Sequence, residues 1–421
     1  MSHATLTAEI ESWLIDKALI DPDITALFEK LCVRLSAVGI PLDRAAVSWP
    51  TLHPLFRAEL VFWTHENGAA LEQYQHAEQA GEKWLKSPFH YAHTKGLKYM
   101  RRRLTGDVAL LDFDVLEDFR DKGFTDYLLT STDFRIAEVE HFAGGKTGIL
   151  ASWSTKRPSG FSDDDLDCLR RIQKVFAAAC HASIQKRVMA NLANAYLGST
   201  AGWRVLAGDI RRGDGDRIPA VVWYSDLRGS TRLSDTMDAD DYLALLNRYF
   251  ECTAQPIIDQ GGEILNFIGD GVLGIFPIKS GCPVDAVARA EAAAREAMRL
   301  ADEAAKTGTP GEAPLRFGIG LAIGEVMFGN IGVPSRLAFS GIGRIVNTVQ
   351  RIETATKTLN IPLLATAEFA EVAPGDWGVA GSVTIQDFDR ALDVYTLTEF
   401  QPSPAQAAGL GQGASIGTAA E

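Results

Sequence analysis

The chain has 421 residues, of which 46% are hydrophobic and 23% charged, and its formal net charge is −13. Those values fit a globular protein of two or three domains. The acidic excess excludes a general nucleic-acid binder, which needs cations to displace counterions from phosphates, but leaves room for a small basic pocket holding one nucleotide.

Five cysteines (Cys32, Cys168, Cys180, Cys252 and Cys282) are scattered and form no CxxC pair. They read as reduced thiols of a cytoplasmic protein. The first residues lack a basic segment ahead of an apolar one, so no signal peptide is expected. No run approaches the roughly 18 apolar residues of a membrane span, so neither a membrane nor a nucleic-acid partner is expected. All eight histidines precede residue 182, a compositional step consistent with two domains of separate origin.

Residues 5–38 carry helical apolar spacing through Leu14, Ile15, Leu19, Ile20, Leu27 and Leu31. The runs "AELVFW" (58–63) and "GILASWS" (148–154) read as strands, so residues 1–161 form a mixed α+β unit. Within it, His90 and His93 form an HxxH, with His76 and His141 elsewhere. One reading is a haem or metal site; the other is ordinary hydrogen-bonded histidines. The arginines of "YMRRRL" (99–104) form either a phosphate-reading patch or a solvated charged face.

A long helix starts after Ser162, whose side chain suits an N-cap, and Asp163 to Asp165 complement the helix dipole. Leu166, Leu169, Ile172, Phe176, Ala179, Ile184, Val188 and Leu192 keep an apolar stripe along it. Such a stripe suits packing on a partner helix, or a single helix within a core. Gly-rich, charged residues 198–219 read as a linker. Beyond residue 400, only Leu410 and Ile416 are bulky and apolar, and a disordered tail is expected.

Between those segments, strand and helix patterns alternate. In "PAVVWYSDLRGSTRLSD" (219–235), a buried strand ends near Asp226 and a small-residue turn opens toward a helix. A carboxylate there can hold Mg²⁺, or simply cap a turn. "ILNFIGDGVLGIF" (264–276) reads as a β-hairpin with Asp270 at its tip. One helix over about 238–258 would return the chain so that Asp226 and Asp270 converge on a pair of metal ions. Farther on, Asn347 and Arg351 are spaced i,i+4 and share one helix face. That face can orient a ribose and neutralise phosphoryl charge, or be merely exposed and polar. Gly261-Gly262 precede the hairpin and read as a helix-to-strand loop, not as a signature in its own right.

Four segments, "SDLRGST", "FIGDGVLGIF", "GIGLAIGEVMFGNIG" and "RLAFSGIGRIVNTVQRIE", occur in that order. Together they resemble the class III adenylate and guanylate cyclase catalytic domain over residues 219–400. The resemblance implies a ferredoxin-like βαββαβ core, active as a head-to-tail homodimer with two composite sites. The reaction implied is attack of the ribose 3′-oxygen on the α-phosphate of a nucleoside triphosphate, releasing pyrophosphate. By position, Asp226 and Asp270 match the ligands of two Mg²⁺ or Mn²⁺ ions. Asn347 and Arg351 match the ribose-orienting and transition-state residues supplied by the opposite subunit. Arg336 matches a contact to the terminal phosphates, and Ser340 and Asn266 match base-reading positions. Asn266 stands where adenylate cyclases usually carry Lys and guanylate cyclases Glu. An amide both donates and accepts, whereas an ammonium only donates. ATP conversion to 3′,5′-cyclic AMP is expected, with altered base contacts. The alternatives are GTP or a pyrimidine triphosphate as substrate, or an idle nucleotide-binding module. Gln386 and Arg390 lie where a phosphate-holding Lys is often found. "SWSTKRPSGFSDDDLDCLRRIQKVFAAA" (152–179) looks like the closing strand and exit helix of a GAF-like sensor, which implies an unknown small ligand. The expected plan is an α+β sensor over 1–161, a signalling helix and linker over 162–218, the cyclase core over 219–400, and a tail over 401–421.

Overall fold

The computed structural model describes residues 3–20, 22–51, 53, 55–75, 84–134, 147–307, 315–384 and 391–401. They divide into two units, Met1–Tyr196 and Leu197–Glu421. His76, His141, Gln386, Arg390 and the tail beyond 401 lie outside the described residues. Among the described residues no helix is long and apolar enough to cross a membrane.

In the first unit the helical stretch expected over 5–38 is two helices, α1 (His3–Ala18) and α2 (Ile24–Ala37). Asp23 restarts the helix: its carboxylate accepts from the Ala26 N–H at 2.8 Å. There follow β1 (Arg44–Pro50), β2 (Phe56–Thr64), β3 (Gly68–Gln75), α3 (Pro88–Lys95), β4 (Tyr99–Arg103), α4 (Asp114–Asp121), β5 (Asp126–Asp133), β6 (Gly148–Thr155) and α5 (Asp163–Leu197). The strands form one antiparallel sheet in the order β3-β2-β1-β6-β5-β4.

Strand alternation sorts the side chains between two faces. Ala45, Val47 and Trp49 of β1, Val61 and Trp63 of β2, and Ala151 and Trp153 of β6 join α1, α2 and α5 in the larger core. Tyr127 and Leu129 of β5 point the other way and pack with α3 and α4. The arginine run is consumed internally. Arg101 pairs with the fully buried Asp126 at 2.6 Å and Arg102 with Asp112 at 2.7 Å. It is therefore neither an open phosphate patch nor a simple solvated face.

Helix α5 begins as its sequence predicts. Ser162 Oγ accepts from the Asp165 N–H at 3.3 Å, while Asp165 accepts from the Ser162 N–H at 2.8 Å, a reciprocal cap. Its apolar stripe is buried in its own unit as far as Val188, which is core-helix packing. Only beyond that point are Met189, Leu192 and Tyr196 exposed.

The residues after Leu197 are not simply a linker. Helix α6 (Ser199–Ala207) folds there, buries Ala201 and stops at Gly208, whose φ of +105° is a left-handed cap. The second unit continues with β7 (Gly215–Leu227), α7 (Ser230–Thr236), α8 (Ala239–Asp259), β8 (Glu263–Ile268), β9 (Gly271–Pro277), α9 (Val284–Thr307), β10 (Phe317–Val333), β11 (Arg336–Ile342), α10 (Arg344–Leu359), β12 (Leu363–Thr366), α11 (Ala367–Ala370), β13 (Trp377–Thr384) and β14 (Ala391–Leu397). The sheet order is β13-β14-β12-β10-β7-β9-β8, with β11 paired to β10. Strands β10, β7, β9 and β8 are antiparallel neighbours. Gly261 and Gly262 link α8 to β8, the loop expected from the sequence.

Helices α8 and α9 cover one face of this sheet, and α10 covers the other. The approach of α10 is set by glycines of β10. A Cβ at Gly320 would meet the Val349 carbonyl oxygen at 2.6 Å, and one at Gly324 would meet Ile345 at 2.6 Å. A side chain at 320 would have to displace helix backbone, which cannot swing aside. Gly320→Ala is therefore expected to destabilise the second unit by about 1–3 kcal/mol through overpacking. Urea unfolding followed by tryptophan fluorescence measures this, and an unchanged midpoint would contradict the close-contact account.

Candidate active site

Asp226 lies near the end of β7 and Asp270 in the β8–β9 turn, where Gly269 takes a left-handed φ of +62°. Register brings them together, because Asp226 pairs across the sheet with Gly271. On its other side Asp226 pairs with Gly318 of β10. Neither neighbour has a side chain, and other groups fill the space above them. A Cβ at Gly318 would meet Thr356, Arg228 and Glu353, and one at Gly271 the Tyr224 hydroxyl, so Asp226 stands in a polar patch of the face covered by α10.

Helix α10 meets that patch with Glu353 and Lys357, one turn apart. Lys357 Nζ donates to Asp226 Oδ2 at 2.8 Å. The buried Glu353 accepts from Arg228 Nη1 at 3.3 Å, and Arg228 also donates to Thr356 Oγ1. Burial raises the Asp226 pKa above the usual carboxylate range and Lys357 opposes it, while the nearby Asp270 carboxylate adds to the rise. Burial also pushes Glu353 up to about 7, against the pull of Lys357 and Arg228. Asp270 Oδ2 is buried and makes no hydrogen bond. An orphaned carboxylate oxygen in a protein interior is costly unless a cation or donor reaches it.

Asn347 and Arg351 share a second stripe of α10, offset from Glu353 and Lys357. Asn347 is exposed and Arg351 half-buried. Arg336 is exposed at the start of β11, beyond the β10–β11 turn. Asn266 and Ser340, 74 residues apart, do meet: Asn266 Nδ2 donates to Ser340 Oγ at 2.6 Å. Simple alternation would place Asn266 on the face of both Ile264 and Ile268. The register slips between Ile264 and Asn266, with Leu265 as the extra residue. Ile264 consequently packs toward the α8–α9 face, while Asn266 opposes Leu273, which belongs to the α10 face. Asn266 keeps the company of Ile268 but not of Ile264.

Residues 217–370 match the family model described as the adenylate and guanylate cyclase catalytic domain. This segment is a class III cyclase catalytic domain. An uncharacterised protein of Mycobacterium tuberculosis is 33% identical over 185 residues, 42% of this chain and 31% of that one. An adenylate cyclase of Anabaena cylindrica is 29% identical over 182 residues, 42% of this chain and 36% of that one. The chain thus spans about a third of the length of the curated relatives it matches. Among solved structures, the guanylyl cyclase Cya2 shares 30% identity, covering 45% of this chain and 96% of that chain, with a TM-score of 0.39.

The residues of the cyclase domain fit a divalent cation. Two carboxylates converge, one with an unpaired buried oxygen, and hard cations take such oxygens. Among the described residues no cluster of three or more His, Cys, Asp and Glu could hold a metal ion. Two carboxylates alone leave coordination positions for a phosphate-bearing ligand. His90 Nε2, from the HxxH of the other unit, lies 3.3 Å from Thr94 Oγ1.

Reasoning from sequence missed Arg228, Glu353 and Lys357. Their signals were present: Arg228 sits inside "SDLRGST", and Glu353 and Lys357 repeat the i,i+4 spacing of Asn347 and Arg351 on the same helix. Lys357 supplies the positive charge that the paired carboxylates otherwise lack. Lys357→Met is expected to lower the melting temperature without metal and to enlarge the stabilisation given by Mn²⁺. Differential scanning fluorimetry across a Mn²⁺ series checks this, and an identical Mn²⁺ response in both proteins would contradict it.

Proposed function

We propose that the chain is a nucleotidyl cyclase converting ATP to 3′,5′-cyclic AMP and pyrophosphate, at sites shared by two copies in a homodimer. The observation that carries this reading is the meeting of Asp226 with Asp270, whose Oδ2 is buried without a partner. Bound Mg²⁺ or Mn²⁺, two ions per site, supplies charge neutralisation around the triphosphate. Asp226 and Asp270 would hold the ions. In the reaction the ribose 3′-oxygen bonds to the α-phosphorus, the bond from that phosphorus to the bridging oxygen of the β-phosphate breaks with its electron pair leaving on pyrophosphate, and the 3′-hydroxyl proton passes to solvent. Asn347 orients the ribose, Arg351 donates to charge developing on the α-phosphate, and Arg336 grips the terminal phosphates.

The shared site is supported by the two stripes of α10. Glu353 and Lys357 face the chain's own Asp226, while Asn347 on the other stripe is exposed. The antiparallel order β10-β7-β9-β8, with α8 and α9 on one face, supports the ferredoxin-like description of the core. ATP is the proposed substrate because residue 266 carries no carboxylate to accept from guanine N1–H. The second reading, GTP or a pyrimidine triphosphate, draws on the Asn266–Ser340 pair, whose amide and hydroxyl each donate and accept.

The first unit is proposed as a GAF-like sensor of a small ligand, supported by its six-stranded antiparallel sheet with helices on both faces. Exposed Met189, Leu192 and Tyr196 late in α5 support a paired signalling helix. A cytoplasmic location belongs to the same proposal and is supported by five unpaired cysteines, four of them buried.

Incubating the protein with each of the four nucleoside triphosphates and Mn²⁺, then identifying the cyclic product, tests the substrate. Cyclic AMP is expected to dominate, and pyrophosphate release with no cyclic product would overturn the cyclase reading. Asp270→Ala and Arg351→Ala are each expected to be inactive and folded, and to recover partial activity when mixed. A mixture that demonstrably forms mixed dimers yet stays inactive would overturn the shared site.

A further inference from the structure

We propose that the first unit binds a small organic carboxylate, a monoanion with an apolar and preferably aromatic body, in a cavity between its sheet and helices α3 and α4. The cavity measures about 600 Å³, within the usual range for small-molecule sites. Its floor is the sheet face opposite the larger core. Arg44 of β1, Phe62 of β2, Tyr127 of β5 and Ser152 of β6 rise from that floor, and Phe119 of α4 closes one side.

Arg44 decides the chemistry. Its guanidinium lies 4.9 Å from the Phe62 ring centroid and 4.7 Å from that of Phe119, held between two aromatic rings. Among the described residues it has no ion pair and no side-chain hydrogen bond, in contrast to Arg101 and Arg102, which both have carboxylates. Burial works against its charge and lowers its pKa from the ordinary value. Glu72 favours the charge from a distance, but no carboxylate among the described residues reaches the five N–H donors, whose planar fork matches the two oxygens of a carboxylate.

A hydroxyl pair lies on the same floor: Ser152 is 1% exposed, and its Oγ interacts with the Tyr127 phenol and with no other side chain among the described residues. Burial raises the Tyr127 pKa and keeps the phenol protonated, so it remains a donor. The guanidinium and the free O–H of the hydroxyl–phenol pair therefore present donors from one surface. Phe62, Phe89, Phe119 and Leu60 supply apolar walls for the rest of the ligand. Beside Arg44 the lining carries one further cation, Lys86, and two carboxylates, Asp114 and Asp118, which are exposed on α4 and outweigh it against a second negative charge. That favours a monoanion over a phosphate ester.

The inference deepens the sensor reading of this unit. Binding is measured apart from cyclase output, so failure of the site and failure of the sensor role are told apart. Calorimetric titration of the full chain with benzoate, phenylacetate, 3-phenylpropionate and indole-3-acetate is compared with phenylacetamide and inorganic phosphate. At least one carboxylate is expected to bind more tightly than about 1 mM. Its affinity is expected to fall at least about tenfold in Arg44→Met, the effect of losing a charged hydrogen-bonding partner. The neutral amide is expected to bind about as weakly as the carboxylate does to that variant. Millimolar or weaker binding by all four acids, equal binding of phenylacetate and its amide, tighter binding of phosphate, or indifference to Arg44→Met overturns the site. If Arg44→Met does not fold, the acid–amide comparison on the unaltered chain decides the matter.

Discussion

The chemistry of the second unit depends on how closely one helix lies on one strand. Gly318, Gly320 and Gly324 of β10 let the backbone and side chains of α10 rest almost directly on the sheet. At that separation Lys357 reaches Asp226 across the helix–sheet interface, and Glu353 meets Arg228. The glycines beside Asp226 let polar groups of α10 and of its own strand, among them Glu353, Thr356 and Tyr224, close over the carboxylate and partly desolvate it. Packing and electrostatics are one constraint here: a bulkier strand would hold the helix away and return the acids to water.

Local patterns were legible in the sequence wherever a short-range rule applied. The hairpin over 264–276, the capped start of α5 and the strand leading to Asp226 follow from turn residues, capping side chains and apolar runs. The convergence of Asp226 with Asp270 was also legible, because a strand, one helix and a hairpin leave few ways to return the chain. What was not legible depended on long-range partners. The arginines of residues 101–103 read as a surface feature because Asp126 and Asp112 gave no local sign of pairing with them. The residues after Leu197 read as a linker because their glycines concealed a helix whose burial is decided by a sheet far along the chain.

The first unit shows the same division. Alternation along β1 sends Ala45, Val47 and Trp49 to a packed core and Arg44 and Ala46 to a cavity. A strand pattern of that kind tells which residues share a side, but not which side is full. The sheet thereby separates mechanical strength from receptivity. The face carrying α1, α2 and α5 is closed by large apolar side chains. The opposite face keeps an aromatic-lined space with a guanidinium set into it.

The slip at Leu265 has a consequence for how such a domain diversifies. Residue identity at 266 and the slip before it control different things. A substitution changes the chemical character presented to Ser340. The slip instead decides which side the residues before it present: Asn266 is held opposite Leu273 from the hairpin side, whereas an unslipped strand of the same length would turn Ile264 from the α8–α9 face to the side of Asn266. The chemistry facing Ser340 and the packing under α8 and α9 can therefore change independently.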